Sequence, residues 1–486
     1  MLSGMDGYYK KSNELNVYSL MAQLSTKTFF AISLQILIFI LVLEIDDLTY
    51  KGKVSLIAFL FAMVYWITTK IPAGFVAMAA IVCIILMRAA DEELLYQALA
   101  QEVVWLMIGA FIIGEAVKNS GLGDRLCQFI MNKANKKGNL LFALAQILLV
   151  SAFFIPSTSG RAALSLPIVR QISKGFHIEE KRALAIIVPV VILMSTSATL
   201  IGAGSHLIGV ALLESTTNQS ISYVQWLVWG VPFTLIVTLS TYLIAKWLLW
   251  PKSTEEEEVH SYSVDHTTRS KKPMDEKEKR ALTLIAVLTL GWMTQGLHGY
   301  DIGFVTIMGA LLFMAPSYGV ISWGQGIKSV SWHLIVFVAA ATAMGNVLVD
   351  TGVVEWMEGE MISVLHLFEN APEWVIIFVI LLVTVTSHLY IHSHTTRAVI
   401  FIPSLIVFSE TMGFSPSAVV FLSLVGMNYC LTFPVSSKAL LIYYEEDELS
   451  FDAEKLFKLS FVLMLPYILL MMIFYFTYWK WTGMHL

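Results

Sequence analysis

The chain has 486 residues, of which 57% are hydrophobic and only 14% charged. A soluble domain carries roughly 25% charged residues, so the composition excludes an ordinary soluble enzyme or nucleic-acid binder and points to an integral membrane protein. The formal net charge of −5 settles nothing by itself, because orientation in a bilayer follows from where Lys and Arg sit along the chain.

Residues 1–27 are polar, lack a signal-peptide pattern and are read as a cytoplasmic N-terminal segment. Apolar runs near the length of a helical span then follow at 28–43, 54–69, 71–88 and 103–117. A broken run covers 139–175, an interrupted run 182–213, and a further span 224–250. The segment 251–280 holds Glu255–Glu258, Lys271 and Lys272 and is read as a solvated cytoplasmic linker. The second half repeats the plan, with spans at 281–297, 301–315 and 333–349, a broken run at 373–410, an interrupted run at 416–444 and a last span at 457–481. The expected fold is therefore an all-α integral membrane protein in two halves, 28–250 and 281–486. Strands of a barrel would be shorter and alternating. The three cysteines (Cys83, Cys127, Cys430) form no CxxC and receive no role.

The broken runs match in detail. Ile155, Ser157, Arg161, Ala162 and Pro167 align with Ile391, Ser393, Arg397, Ala398 and Pro403 at a constant offset of 236 (393 − 157). Each break is rich in hydroxyls and flanked by apolar sequence. Such backbone at membrane depth must be buried in protein or line a wet cavity, so 139–175 and 373–410 are predicted to be re-entrant hairpins. The upstream pairs Asn119-Ser120-Gly121 and Asp350-Thr351-Gly352 match too, and are read as helix C-caps.

With the N-terminus inside, Lys118, Arg125, Lys133, Lys136, Lys137, Lys174, Lys181 and Arg182 fall on the cytoplasmic side. The segment 350–372, with Asp350, Glu355, Glu358, Glu360 and Glu369 but no Lys or Arg, falls outside. The hairpins then enter from opposite sides, the halves are inverted copies, and the C-terminus lies outside.

Four polar breaks carry the chemistry: the tips Ser157-Thr158-Ser159 and Ser393-His394-Thr395, and the interruptions Thr199–His206 (with Gly202, Ser205 and His206) and Thr432–Lys438 (with Pro434, Ser436, Ser437 and Lys438). Half-helix N-termini bind anions, while unwound carbonyls and hydroxyls hold cations. Arg161, Arg397 and Lys438 lie in or beside the breaks, and no Asp or Glu does. Buried cations without carboxylates predict an anionic ligand, and Arg suits carboxylate or sulfate. His388 and His392 are spaced for a metal on a helix, but no acidic or cysteine ligand accompanies them, so no metal is expected. His394 is the better candidate for a proton-linked or substrate-contacting role. A serine–histidine hydrolase would need a nucleophile elbow, and the chain has none, so no enzyme is expected.

The layout resembles the divalent anion:sodium symporter family of the ion-transporter superfamily. That family carries Ser-Asn-Thr at two opposed hairpin tips, each followed by an unwound segment often reading Gly-Thr-Pro-Pro-Asn. Arg161 resembles the arginine after the first motif in the branch of bacterial citrate and plant plastid dicarboxylate exchangers. The resemblance implies eleven spans plus two hairpins, a scaffold, an elevator-like transport domain and a homodimer. It also implies a di- or tricarboxylate substrate, or sulfate. It further implies that Ser157, Thr158, Ser159, Ser393, His394 and Thr395 line the site, with Arg161, Arg397 and Lys438 neutralising the substrate. The motif asparagines are absent: Thr158 and His394 stand at the tips, and His206 and Lys438 in the unwound segments. Fixed cations in place of bound sodium make anion exchange or proton coupling expectations alongside sodium symport. A channel, a cation antiporter and a non-transporting anion sensor are the rival classes.

Overall fold

The computed structural model describes residues 26–485 except 70, 123–124, 126–136, 154, 156, 174–175, 218, 252–272, 366–370, 392 and 447–448. The polar N-terminal segment, Cys127, Lys133, Lys136, Pro156, Lys174, Glu255–Glu258, Lys271, Lys272, Glu369 and His392 lie outside the described residues. The described residues form helices and connecting turns, with no strand among them.

Helices α1 (Thr26–Leu43), α2 (Tyr50–Thr68) and α3 (Ala73–Leu86) open the chain. Thr49 starts α2 by accepting a hydrogen bond from Gly52 N. A short helix α4 (Glu93–Ala100) precedes α5 (Glu102–Asn119). The sequence left α4 unassigned between the spans 71–88 and 103–117, because its eight residues cover barely two turns. Gly121 and Gly352, at φ 87° and 76°, end α5 and its second-half counterpart in the left-handed conformation that glycine tolerates, as the capping reading expects.

The first hairpin is α6 (Lys137–Ser151) and α7 (Thr158–Ile172), each of 15 residues. At 1.5 Å per residue such an arm is about 22 Å long, short of the roughly 30 Å hydrocarbon core. After the hairpin come α8 (Ile178–Met194), two 3₁₀ turns and α9 (Gly204–Thr217). Helix α10 (Tyr223–Leu249) closes the half. The second half runs α11 (Glu276–Met293), α12 (Ile302–Phe313), a short α13 (Trp323–Ser329), α14 (Trp332–Asp350) and α15 (Val353–Leu365). Its hairpin is α16 (Glu373–Thr386) and α17 (His394–Thr411). Its broken helix is α18 (Pro416–Met427), a 3₁₀ turn and α19 (Lys438–Tyr444), and α20 (Ala453–Phe474) follows.

Two packing features position the site. Helices α5 and α12 lie together where Gly109 meets Thr306 and Gly303 meets Glu102, contacts with no room for a β-carbon. The halves also cross: α7 of the first hairpin packs on α19, and α17 of the second packs on α9. Each hairpin therefore finds its wall in the other half.

Candidate functional site

The two tips are built alike. Ser157 caps α7 by accepting from Gly160 N at 3.1 Å, and Ser393 caps α17 by accepting from Thr396 N at 3.3 Å. Within each tip the cap hydroxyl meets a second one, Ser159 at 3.1 Å and Thr395 at 3.0 Å. The caps leave the first turns of α7 and α17 with free N–H groups toward the tip.

The interruptions are also alike, at a slightly different offset of 234 (433 − 199). Thr199 and Phe433 are extended and begin one-turn 3₁₀ segments, Leu200–Gly202 and Pro434–Ser436. Ala203 and Ser437 are extended again before α9 and α19. A β-carbon at Gly202 would lie 2.2 Å from Thr196 O, so only glycine fits this bend. In this register Lys438 is the counterpart of Gly204, and His206 that of Leu440. His206 and Lys438, paired by the motif comparison, are thus two residues out of step.

One cavity of about 460 Å³ joins the breaks, within the range usual for small-ligand sites. Ser157, Thr158 and Ser159 line one side and Ser393, His394 and Thr395 the other. Ser205, Ser436, Ser437 and Lys438 join them, as do Met107, Phe111 and Leu334 from outside the breaks. Among the described lining residues Lys438 is the only one with a fixed charge, and no carboxylate lines the cavity.

The arginines stand elsewhere than the expectation of direct neutralisation placed them. Neither Arg161 nor Arg397 lines the cavity; both are fully buried behind the tips. The reason is helical geometry: each lies four residues beyond its cap, one turn deeper. Arg161 Nη1 and Nη2 donate to Ser195 Oγ and Thr196 Oγ1, both at 2.8 Å. Arg397 Nη1 donates at long range to Ser387 Oγ at 3.4 Å and Tyr429 O at 3.5 Å, the guanidinium faces the Cys430 thiol, and Nε and Nη2 make no close hydrogen bond among the described residues.

Gly202 and Pro434 shape the bends but do not line the cavity, and His206 is buried away from it. Its Nδ1 lies 3.2 Å from Thr199 O, which fixes that nitrogen as donor. Nε2 is then an acceptor, facing Asn428 Nδ2 at 2.8 Å. The same Nδ2 donates to Ser197 Oγ at 2.8 Å, so Asn428, at the end of α18, is tied to both flanks of the first interruption. His388 is packed inside, with Nδ1 2.6 Å from Val385 O and Nε2 2.6 Å from Thr432 Oγ1. His394 Nε2 meets Cys430 Sγ at 2.8 Å, while its Nδ1 has no partner among the described residues. Sequence reasoning gave no role to Asn428 or Cys430; the one available signal was an Asn-Tyr-Cys triplet directly after the largely buried α18.

An all-helical membrane protein whose four polar breaks enclose a hydroxyl-lined cavity with one fixed cation belongs to the class of multi-pass transporters of small anions. Residues 23–485 match the sodium:sulfate symporter transmembrane region, so the chain belongs to that family. The citrate/succinate antiporter of Escherichia coli K12 is 25% identical over 360 residues, covering 70% of this chain and 71% of its own. The sodium-dependent dicarboxylate transporter SdcS of Staphylococcus saprophyticus is 20% identical over 468 residues, covering 91% and 88%. In fold, the chain is similar to the YdaH transporter of Alcanivorax borkumensis, with TM-score 0.57 and 16% identity over 77% of this chain and 85% of that one. The family and these relatives are transporters, not enzymes.

Proposed function

We propose that the protein carries small di- and tricarboxylates across the membrane by exchanging one anion for another. The observation behind this reading is the cavity at the tips, where hydroxyls from both halves and Lys438 converge and no carboxylate competes. Lys438 would meet one carboxylate of the substrate, and the tip hydroxyls and free helix N–H groups would hold the rest. Arg161 and Arg397 would act through the field they place behind the tips. Alternating access would follow from hairpins and broken helices moving together, because Asn428 at the end of α18 bonds to Ser197 and His206 on either side of the first interruption. The N-terminus would be cytoplasmic, the C-terminus outside, and the working unit a homodimer.

Uptake of labelled succinate and citrate into proteoliposomes tests the reading. Exchange requires an internal counter-anion and is indifferent to sodium. Uptake that instead follows a sodium gradient would establish symport, and uptake that follows a proton gradient would place coupling at His394. Sulfate uptake without carboxylate uptake would move the substrate to the oxyanions. Binding of either anion with no flux would make the protein a sensor.

A further inference from the structure

A second cavity, of about 560 Å³, lies on the far side of the first along α5 and α9. On α5 it is lined by Glu102, Val103 and Leu106, whereas the tip cavity begins at Met107. On α9 it is lined by Leu207, Val210, Ala211 and Glu214, whereas the tip cavity is lined by Gly204, Ser205 and Leu207. Glu102, Glu214, Gln295 and Ser220 supply this second, otherwise largely apolar cavity with the polar partners that water needs. Among the described residues Leu207 is the one side chain that lines both cavities. It is 5% exposed.

We infer that Leu207 is the barrier between two aqueous compartments, and that its isobutyl group alone keeps the tip cavity closed toward the Glu102 face. Its helix has no slack with which to replace it. A β-carbon at Gly209 would come within 2.6 Å of Leu424, and one at Gly345 would come within 2.9 Å of Leu212. A dry apolar constriction one side chain thick excludes ions only while it stays dewetted. Removing the branched group opens space between two cavities that both offer water polar partners, and water fills it. The inference rests on the transport reading for its flux readout but not for its accessibility readout.

The test uses full-length protein in proteoliposomes loaded without counter-anion. Leu207→Ala is expected to lose the counter-anion requirement, admitting labelled succinate, and to conduct chloride; Leu207→Met, which keeps the apolar bulk, is expected to retain the requirement. In a Cys83→Ser, Cys127→Ser background, Leu207→Cys is expected to react with a membrane-impermeant thiol reagent applied to either face, above the labelling of the background chain. Labelling from one face only or from neither, or a Leu207→Ala variant that folds and still requires counter-anion, would overturn the inference. If the unaltered chain exchanges no anion at all while Leu207→Cys labels from both faces, the transport reading fails and the barrier stands.

Discussion

The two hairpins are copies in outline and opposites in how their charges are held. Lys137 and Glu373, related by the offset of the tips, each begin a hairpin. Lys137 pairs with Glu180 at 2.9 Å, with side chains 5% and 0% exposed. Glu373 pairs with Lys480 at 2.6 Å, with side chains 35% and 33% exposed, and accepts from Tyr475. Behind the tips the same contrast appears, Arg161 held by two hydroxyls at 2.8 Å and Arg397 by longer bonds to Ser387 and Tyr429 and by the Cys430 thiol. The first half is thus anchored by buried charge that is better satisfied, with Arg161 lacking a hydrogen-bond partner among the described residues only at Nε. The second keeps under-satisfied groups (Arg397, His394) and an exposed cation (Lys438) at the cavity. The matching breaks shape the pocket, and Lys438, on the second half alone, supplies its fixed charge.

The sharpest way to break this comparison is at the hairpin bases. Lys137→Met leaves Glu180 buried without its partner and is expected to destabilise by about 3–5 kcal/mol, read as a lower melting temperature in detergent. Glu373→Gln, at a half-exposed pair, is expected to shift stability by under about 1 kcal/mol. Equal losses would erase the contrast. Next come the arginines. Arg161→Met removes two well-made charged hydrogen bonds, worth about 1.5–3 kcal/mol each. Arg397→Met is expected to melt closer to the unaltered chain while losing more of its uptake. A smaller effect belongs to Lys438→Gln, which removes one charge-assisted contact and is expected to raise the KM for succinate about tenfold, the equivalent of 1.4 kcal/mol. The smallest is His394→Asn, which keeps a hydrogen-bonding side chain at the tip and is expected to leave exchange running, read as uptake of labelled succinate close to that of the unaltered chain.

Much of this was legible in the letters. Hydroxyl runs at a constant offset marked both tips, because a cap needs Ser or Thr where the helix begins. The interruptions showed as Gly and Pro within apolar runs. The depth of the arginines was not legible, since it depends on Ser195 and Thr196, some distance along the chain from Arg161, and on Tyr429 for Arg397. Nor was the register of Lys438 opposite Gly204, which the two-residue change in offset conceals. Asn428 escaped because its partners, Ser197 and His206, come from the other half. Helices α4 and α13 were too short to declare a period.

The crossed packing of α7 on α19 and α17 on α9 has a consequence for biogenesis. A ribosome releases the first hairpin into the bilayer long before residues 438–444 exist to cover it, and unpaired backbone at that depth is unstable in lipid. The nascent first half must wait, sheltered by the insertion machinery or by its own α8 and α10, until translation reaches Tyr444. Two fragments severed in the connecting linker and produced together should assemble, whereas the first alone should be degraded.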